Sequence, residues 1–143
     1  MYKIAIASDH GGLELKEEIK KLLSSKDTSF IDLGTHSSDS CDYPYFAKAV
    51  VNEILSGNAE RGILICGTGQ GMAICANRYK GIRAAVCTDT FTAHATREHN
   101  DSNILCLGQR VTGKSLATDI VLTWLNAKFE GERHKKRLDL IDN

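Results

Sequence analysis

The sequence predicts an α/β fold built on a parallel sheet, and three observations carry that expectation. Short apolar runs alternate with longer amphipathic ones along all 143 residues. Turn residues or charges bound the apolar runs, as expected of buried strands. Polar and ionisable residues collect just after the strand-like runs, where open parallel sheets bind their ligands. Strict alternation of this kind reads as parallel strands joined by right-handed crossovers, giving a three-layer α/β/α sandwich around five strands.

Residues 2–8 form the first predicted strand and run into Ser8-Asp9-His10-Gly11-Gly12. Residues 13–24 follow as a helix, with Leu13, Ile19, Leu22 and Leu23 near the helical period and lysine and glutamate elsewhere. The second strand is expected over 28–33 and the second helix over 45–56. The third strand, 62–66, ends at Cys66 and opens into Gly67-Thr68-Gly69-Gln70-Gly71, with a helix over 70–79. A strand over 83–88, ending in Thr88-Asp89, precedes a helix over 90–99. The last pair is a strand over 104–107, followed by Gly108-Gln109-Arg110, and a helix over 113–129.

Length and the lack of a Pro/Ser-rich linker predict one domain over 1–143, with a C-terminal extension from about residue 130 that contributes to a site or a subunit interface. Eighteen basic residues balance eighteen acidic ones, so overall charge gives no reason to expect a nucleic-acid partner. No apolar stretch approaches membrane-spanning length, and the start of the chain runs directly into a strand without a cleavable signal. The five cysteines form no C-x-x-C pair and show no metal-ligand spacing. Free thiols in a reducing, cytoplasmic compartment are the expectation.

The stretch from Gly62 to Gly71 is the most informative. Glycines at alternate positions let the backbone bend so that several N–H groups converge on one point, which suits a phosphate or an anionic intermediate. Cys66 stands at the lip of that loop, where neighbouring N–H groups favour a thiolate. The alternative is an inert buried thiol, which is the reading for Cys75, Cys87 and Cys106. Cys41, in a polar loop, receives no role, and His36 and His94 read as ordinary loop and helix residues. Asp9 and His10 suit a site pair, while Asp9 also suits a helix cap. His99 and Asn100 end the fourth helix, where a histidine also suits the helix dipole. Arg133 and Arg137, four apart with His134 beside the first, suit either a solvated chain end or a grip on phosphate.

Taken together, these motifs resemble the type B ribose-5-phosphate isomerase family and its relatives, the galactose-6-phosphate isomerase subunits. The resemblance rests on Ser8-Asp9-His10-Gly11-Gly12, Asp42-Tyr43-Pro44, the Cys66–Gly71 loop, Arg97-Glu98-His99-Asn100 with Gly108-Gln109-Arg110, and Gly131-Glu132-Arg133-His134-Lys135-Lys136-Arg137. It implies interconversion of D-ribose 5-phosphate and D-ribulose 5-phosphate without metal or organic cofactor, and a strand order of 2-1-3-5-4. By the same resemblance, His99 with Asp9 nearby opens the sugar ring, Cys66 is the base at the carbon acid, and Thr68 assists. The backbone of Gly67, Gly69, Gln70 and Gly71, with the Asn100 amide, would hold a cis-enediolate. His10, Arg133 and Arg137 would bind phosphate, with His134 and Arg110 close by and Tyr43 near the sugar. A homodimer or dimer of dimers with shared sites is also implied. Three alternatives stay open: an allose 6-phosphate isomerase, a galactose-6-phosphate isomerase subunit, and a non-catalytic sugar-phosphate sensor.

Overall fold

A computed structural model describes all 143 residues. In chain order the elements are β1 (Tyr2–Ser8), a 3-10 turn (His10–Gly12), α1 (Leu13–Ser25), β2 (Phe30–Asp32), α2 (Tyr43–Leu55), β3 (Ala59–Cys66), α3 (Gln70–Ala76), β4 (Ala84–Val86), α4 (Thr90–Asn100), β5 (Ile104–Gly108), α5 (Lys114–Asn126) and α6 (Arg133–Asp139). The five strands pair in parallel in the order β2-β1-β3-β5-β4. Every strand therefore ends at the same edge of the sheet, here called the carboxyl edge.

The element types agree with the sequence expectation, and the differences at their ends have local causes. β3 begins at Ala59 because Tyr2 of β1 extends the parallel pairing down to that residue. α3 stops at Ala76 because Asn77 turns outward and clasps Ala84. Its side-chain oxygen accepts from Ala84 N–H at 2.8 Å, while its amide donates to the Ala84 carbonyl at 2.8 Å. The charged tail forms a sixth helix, α6, rather than a frayed end.

β1, β3 and β5 are central and almost wholly buried, as parallel strands covered on both faces must be. One face packs with α1, α4 and α5 around Ile4, Ile6, Ile63, Leu105 and Trp124. The other packs with α2 and α3 around Ala7, Val50, Leu64 and Met72. The Trp124 indole donates to Ser102 Oγ at 2.9 Å and lies under the guanidiniums of Arg61 and Arg97.

The periodicity of α1 needs one correction. Its buried stripe is Leu15, Lys16, Ile19 and Leu23, so a lysine stands among the core positions. Lys16 is 0% exposed; its ammonium donates to Asp32 at the end of β2 and to the Thr35 carbonyl, both at 2.6 Å. Lys20 reaches the second Asp32 oxygen at 2.8 Å, and Gly34 N–H donates to the first at 2.9 Å. A buried ammonium is tolerable only when its hydrogen bonds are replaced in this way. The cluster fixes the start of the long β2–α2 loop against α1.

Burial alone would raise the Asp32 pKa, but hydrogen bonds from Lys16, Lys20 and Gly34 N–H outweigh it and hold the carboxyl below its ordinary range. A depressed folded-state value makes the contribution to stability complete above the unfolded carboxyl pKa and lost as pH falls through the folded one. Asp32→Asn should therefore destabilise the protein by about 3–5 kcal/mol at neutral pH. In urea titrations across pH, the gap between wild type and variant should close in strongly acidic solution; a gap independent of pH would contradict the assignment.

Candidate active site

At the carboxyl edge, the turn after β1, the turn after β3 and the turn after β5 lie side by side. Asp9 is 8% exposed, and its Oδ1 accepts from Gly11 N–H at 2.9 Å, so it caps the first turn. Gln109 N–H donates to the Cys66 carbonyl at 2.9 Å and Arg110 N–H to the Gly67 carbonyl at 3.0 Å, which stitches the β5 turn to the glycine loop. The Arg110 guanidinium lies over that loop, with Nη1 about 3.5 Å from where a Gly67 side chain would begin.

Within the glycine loop, Gly69 takes a φ of 82°, a left-handed conformation that costs other residues strain. This turns the Gly69 N–H inward, where it donates to Cys66 Sγ at 3.1 Å. The thiol is 6% exposed and so faces a largely dehydrated lip. Thr68 is exposed, and its Oγ1 accepts from Gln70 N–H at 3.3 Å, leaving the hydroxyl at the mouth of the loop. Gly71 lies against Tyr43: a Cβ there would fall 2.6 Å from the ring, so the phenol reaches the loop only because residue 71 has no side chain.

The other two cysteines of the sheet are unsuited to chemistry. Desolvation pushes Cys87 up to about 11 and raises Cys106 further, against an ordinary value of 9.0. Cys41, to which the sequence assigns nothing, joins the site from the β2–α2 loop. Its backbone N–H donates to His10 Nδ1 at 3.2 Å and its Sγ lies 3.8 Å from the same nitrogen. An acceptor Nδ1 puts the His10 proton on Nε2. Asp9, His10, Cys41, Tyr43 and Lys48 are among the residues around a cleft of about 660 Å³. A second cleft, about 620 Å³, opens between α1 and α5, where Glu14, Glu17 and Glu18 outnumber the one lining cation, Lys114, which is paired with Glu18 at 3.1 Å.

His99 and Asn100 are elsewhere. α4 starts at the carboxyl edge and runs back for 11 residues, about 16 Å, so its last residues reach the opposite, amino edge. There the Asn100 carbonyl accepts from Arg83 Nε at 3.1 Å, just before β4 begins. Buried Arg97 donates from Nη1 to Asp101 at 2.8 Å and to the Ser102 carbonyl at 2.6 Å, which holds this helix end rigid. Within one chain His99 and Asp9 thus stand at opposite edges, because a crossover helix must return the chain to the start of the next strand.

α6 packs beside the end of α4 and brings Arg133 and Arg137 to the same amino edge, both exposed. His134 is 6% exposed and stacks on His99, with ring centroids 4.5 Å apart and planes 19° from parallel. Its Nε2 is 3.2 Å from Glu130 Oε2. Glu130 is absent from the expected site, although its four-residue spacing from His134 was a readable signal. His99, Glu130 and His134 place their ligand atoms within 4.8 Å of one another, a set able to hold a metal ion. Rings this close to parallel cannot both aim a lone pair at one ion, so binding would require exposed His99 to leave the stack.

An open parallel sheet whose central turn offers backbone N–H groups and a thiol defines a small-molecule α/β protein with an anion-ready site. The chain belongs to the Ribose/Galactose Isomerase family, whose profile matches residues 4–141. It is 47% identical over 141 residues to the ribose-5-phosphate isomerase B of Escherichia coli, covering 99% of this chain and 95% of that protein. Among solved structures, ribose-5-phosphate isomerase B of Clostridium thermocellum superposes with a TM-score of 0.97 at 54% identity, covering 98% of this chain and 95% of the other. That of Mycoplasma genitalium, with bound ribulose-5-phosphate, gives a TM-score of 0.93 at 42% identity, covering 97% and 93%.

Gly69→Ala tests the loop. Forcing a Cβ into the left-handed region, 3.1 Å from the Leu107 backbone, should cost about 1–2 kcal/mol in urea denaturation. A variant as stable as wild type would show that the loop does not depend on this conformation.

Proposed function

We propose that the protein is a cofactor-independent aldose-ketose isomerase that interconverts D-ribose 5-phosphate and D-ribulose 5-phosphate. The observation that carries this reading is the Cys66 thiol at the mouth of the glycine loop, receiving the Gly69 N–H, in a chain of this family. The E. coli and M. genitalium relatives support ribose 5-phosphate over a hexose phosphate, and the E. coli likeness extends over nearly the whole chain.

The chemistry follows from the groups available. His99, with Asp9, moves a proton between the anomeric hydroxyl and the ring oxygen and frees the aldehyde. Cys66 as thiolate then takes the proton from C2, and the electrons of that C–H bond form C1=C2 while O1 becomes anionic. The resulting cis-enediolate is held by backbone N–H groups of residues 67–71 and by the Asn100 amide. The thiol returns the proton to C1, and the O2 proton passes to O1 with help from Thr68, leaving a ketone at C2. His10 and Arg110 hold the phosphate with Arg133 and Arg137, which anchors the non-reacting end and fixes the carbon acid against its base. No redox partner is needed, since oxidation at C2 is balanced by reduction at C1 of the same molecule.

Because Cys66 and His99 stand at opposite edges of one chain, we infer that a site is completed by a second copy. One copy supplies Asp9, His10, Tyr43, the glycine loop and Arg110, and its partner supplies His99, Asn100, Arg133 and Arg137. Tyr45, Ile74 and Phe91, 74%, 60% and 79% exposed, are the kind of apolar surface that such a contact would cover. No helix is long and apolar enough to cross a membrane, and all five cysteines are free, which supports a cytoplasmic enzyme.

Turnover on D-ribose 5-phosphate, D-allose 6-phosphate and D-galactose 6-phosphate, with chelator present, tests the substrate. Ribose 5-phosphate should be converted most efficiently, and Cys66→Ala should lose about 10²–10⁴-fold in kcat. Preference for a hexose phosphate, or near-normal turnover by the variant, would overturn that part of the reading. The shared site has its own test: Cys66→Ala and His99→Asn chains, each inactive alone, are refolded together. Half of randomly formed dimers are mixed and carry one intact site of two, so about a quarter of wild-type activity should return. No recovery would place the whole site within one chain.

A further inference from the structure

His99 presents a problem that the mechanism leaves open. It is exposed and its ring makes no hydrogen bond, yet ring opening requires its nitrogen to be aimed at a substrate oxygen. Its ring stacks on His134. That second imidazole is nine-tenths buried, and its Nε2 faces the Glu130 carboxylate at 3.2 Å. Glu130 is in turn tied to the helix that carries His99, because its backbone N–H donates to the Glu98 carbonyl at 3.0 Å. The loop between the two is held by Gly131 and Glu132, both at positive φ, with His134 N–H donating to the Gly131 carbonyl at 3.0 Å. A buried ring locked by a carboxylate cannot reorient to follow a substrate, but it can hold a mobile ring in one plane.

We propose that His134, locked by Glu130, is a positioning residue that sets the ring plane of His99, rather than a phosphate ligand. The proposal rests on the assignment of His99 to ring opening. It makes the ending of α4 and the start of α6 one functional unit: Glu130 fixes His134, His134 fixes His99, and His99 moves the proton. Arg133, whose Nη2 is 3.8 Å from the same Glu130 oxygen, belongs to this unit by contact but keeps its guanidinium exposed for phosphate.

The test separates ring opening from enolisation. D-Ribulose 5-phosphate cannot close to a furanose, since its O5 is esterified, so exchange of its C1 hydrogen with D2O needs Cys66 but no ring opening. His134→Ala should lower kcat for D-ribose 5-phosphate about 100-fold, the cost of a small misplacement of a catalytic group. Exchange into D-ribulose 5-phosphate should stay within about twofold of wild type. His134→Phe, which restores a stacking ring, should recover much of the loss, and Glu130→Gln, which still accepts the Nε2 proton, should be milder than Glu130→Ala. Equal loss of turnover and exchange would show a general structural role, and a raised KM with intact kcat would return His134 to phosphate binding; either outcome overturns the proposal. Cys66→Ala is the separate check on the underlying mechanism: if it exchanges normally, the base assignment fails whatever His134 does.

Discussion

A parallel sheet imposes one constraint on everything attached to it: each connection must carry the chain back over the full height of the sheet before the next strand can begin. Helix starts consequently gather at one edge and helix ends at the other. In this chain the first edge holds a carboxylate, an imidazole, a thiol and a turn of N–H groups, while the second holds an imidazole, an amide and two guanidiniums. Residues that look like members of one list in the sequence are sorted by topology onto two edges. Chemistry that used both lists would be coupled to assembly, because the two edges lie a helix length apart.

Each edge is held by polar clasps that satisfy buried groups. Lys16 and Asp32 tie α1 to the β2–α2 loop, and with it the segment that leads to Cys41 and Tyr43. Arg97 does the equivalent at the amino edge, spending one buried guanidinium on Asp101 and Ser102 directly after His99 and Asn100. Such groups cost desolvation and gain little net stability over apolar packing, but they fix geometry because any displacement leaves a charge unpaired. Their location at the two edges, away from the middle of the sheet, fits a role in placing turns.

Much of this was legible in the residues. Alternating runs gave the five strands and the first five α-helices apart from their ends, since apolar period is a direct consequence of which face is buried. The Cys66–Gly71 turn announced itself by glycine spacing. The strand order was not readable from periodicity, because alternation is compatible with several orders, and it entered through family likeness. Lys16 escaped because a lysine at a core position looks polar until Asp32 and Thr35 are seen around it. Cys41 escaped for a different reason: its relation to His10 exists only through space, across 31 residues of chain. The separation of His99 from Asp9 was implicit in the helix following β4, but motif matching treats residues as a set and carries no information about which edge they occupy.

The nearness of Cys41 to His10 changes how thiol reagents report on this protein. Cys66 is almost sealed, whereas Cys41 is partly open to solvent and borders the cleft in front of His10. An alkylating agent entering from solvent meets Cys41 first and leaves its adduct beside His10. Modification of the protein by such an agent is therefore ambiguous between Cys41 and Cys66, and a Cys41→Ser background is the one in which labelling speaks for Cys66.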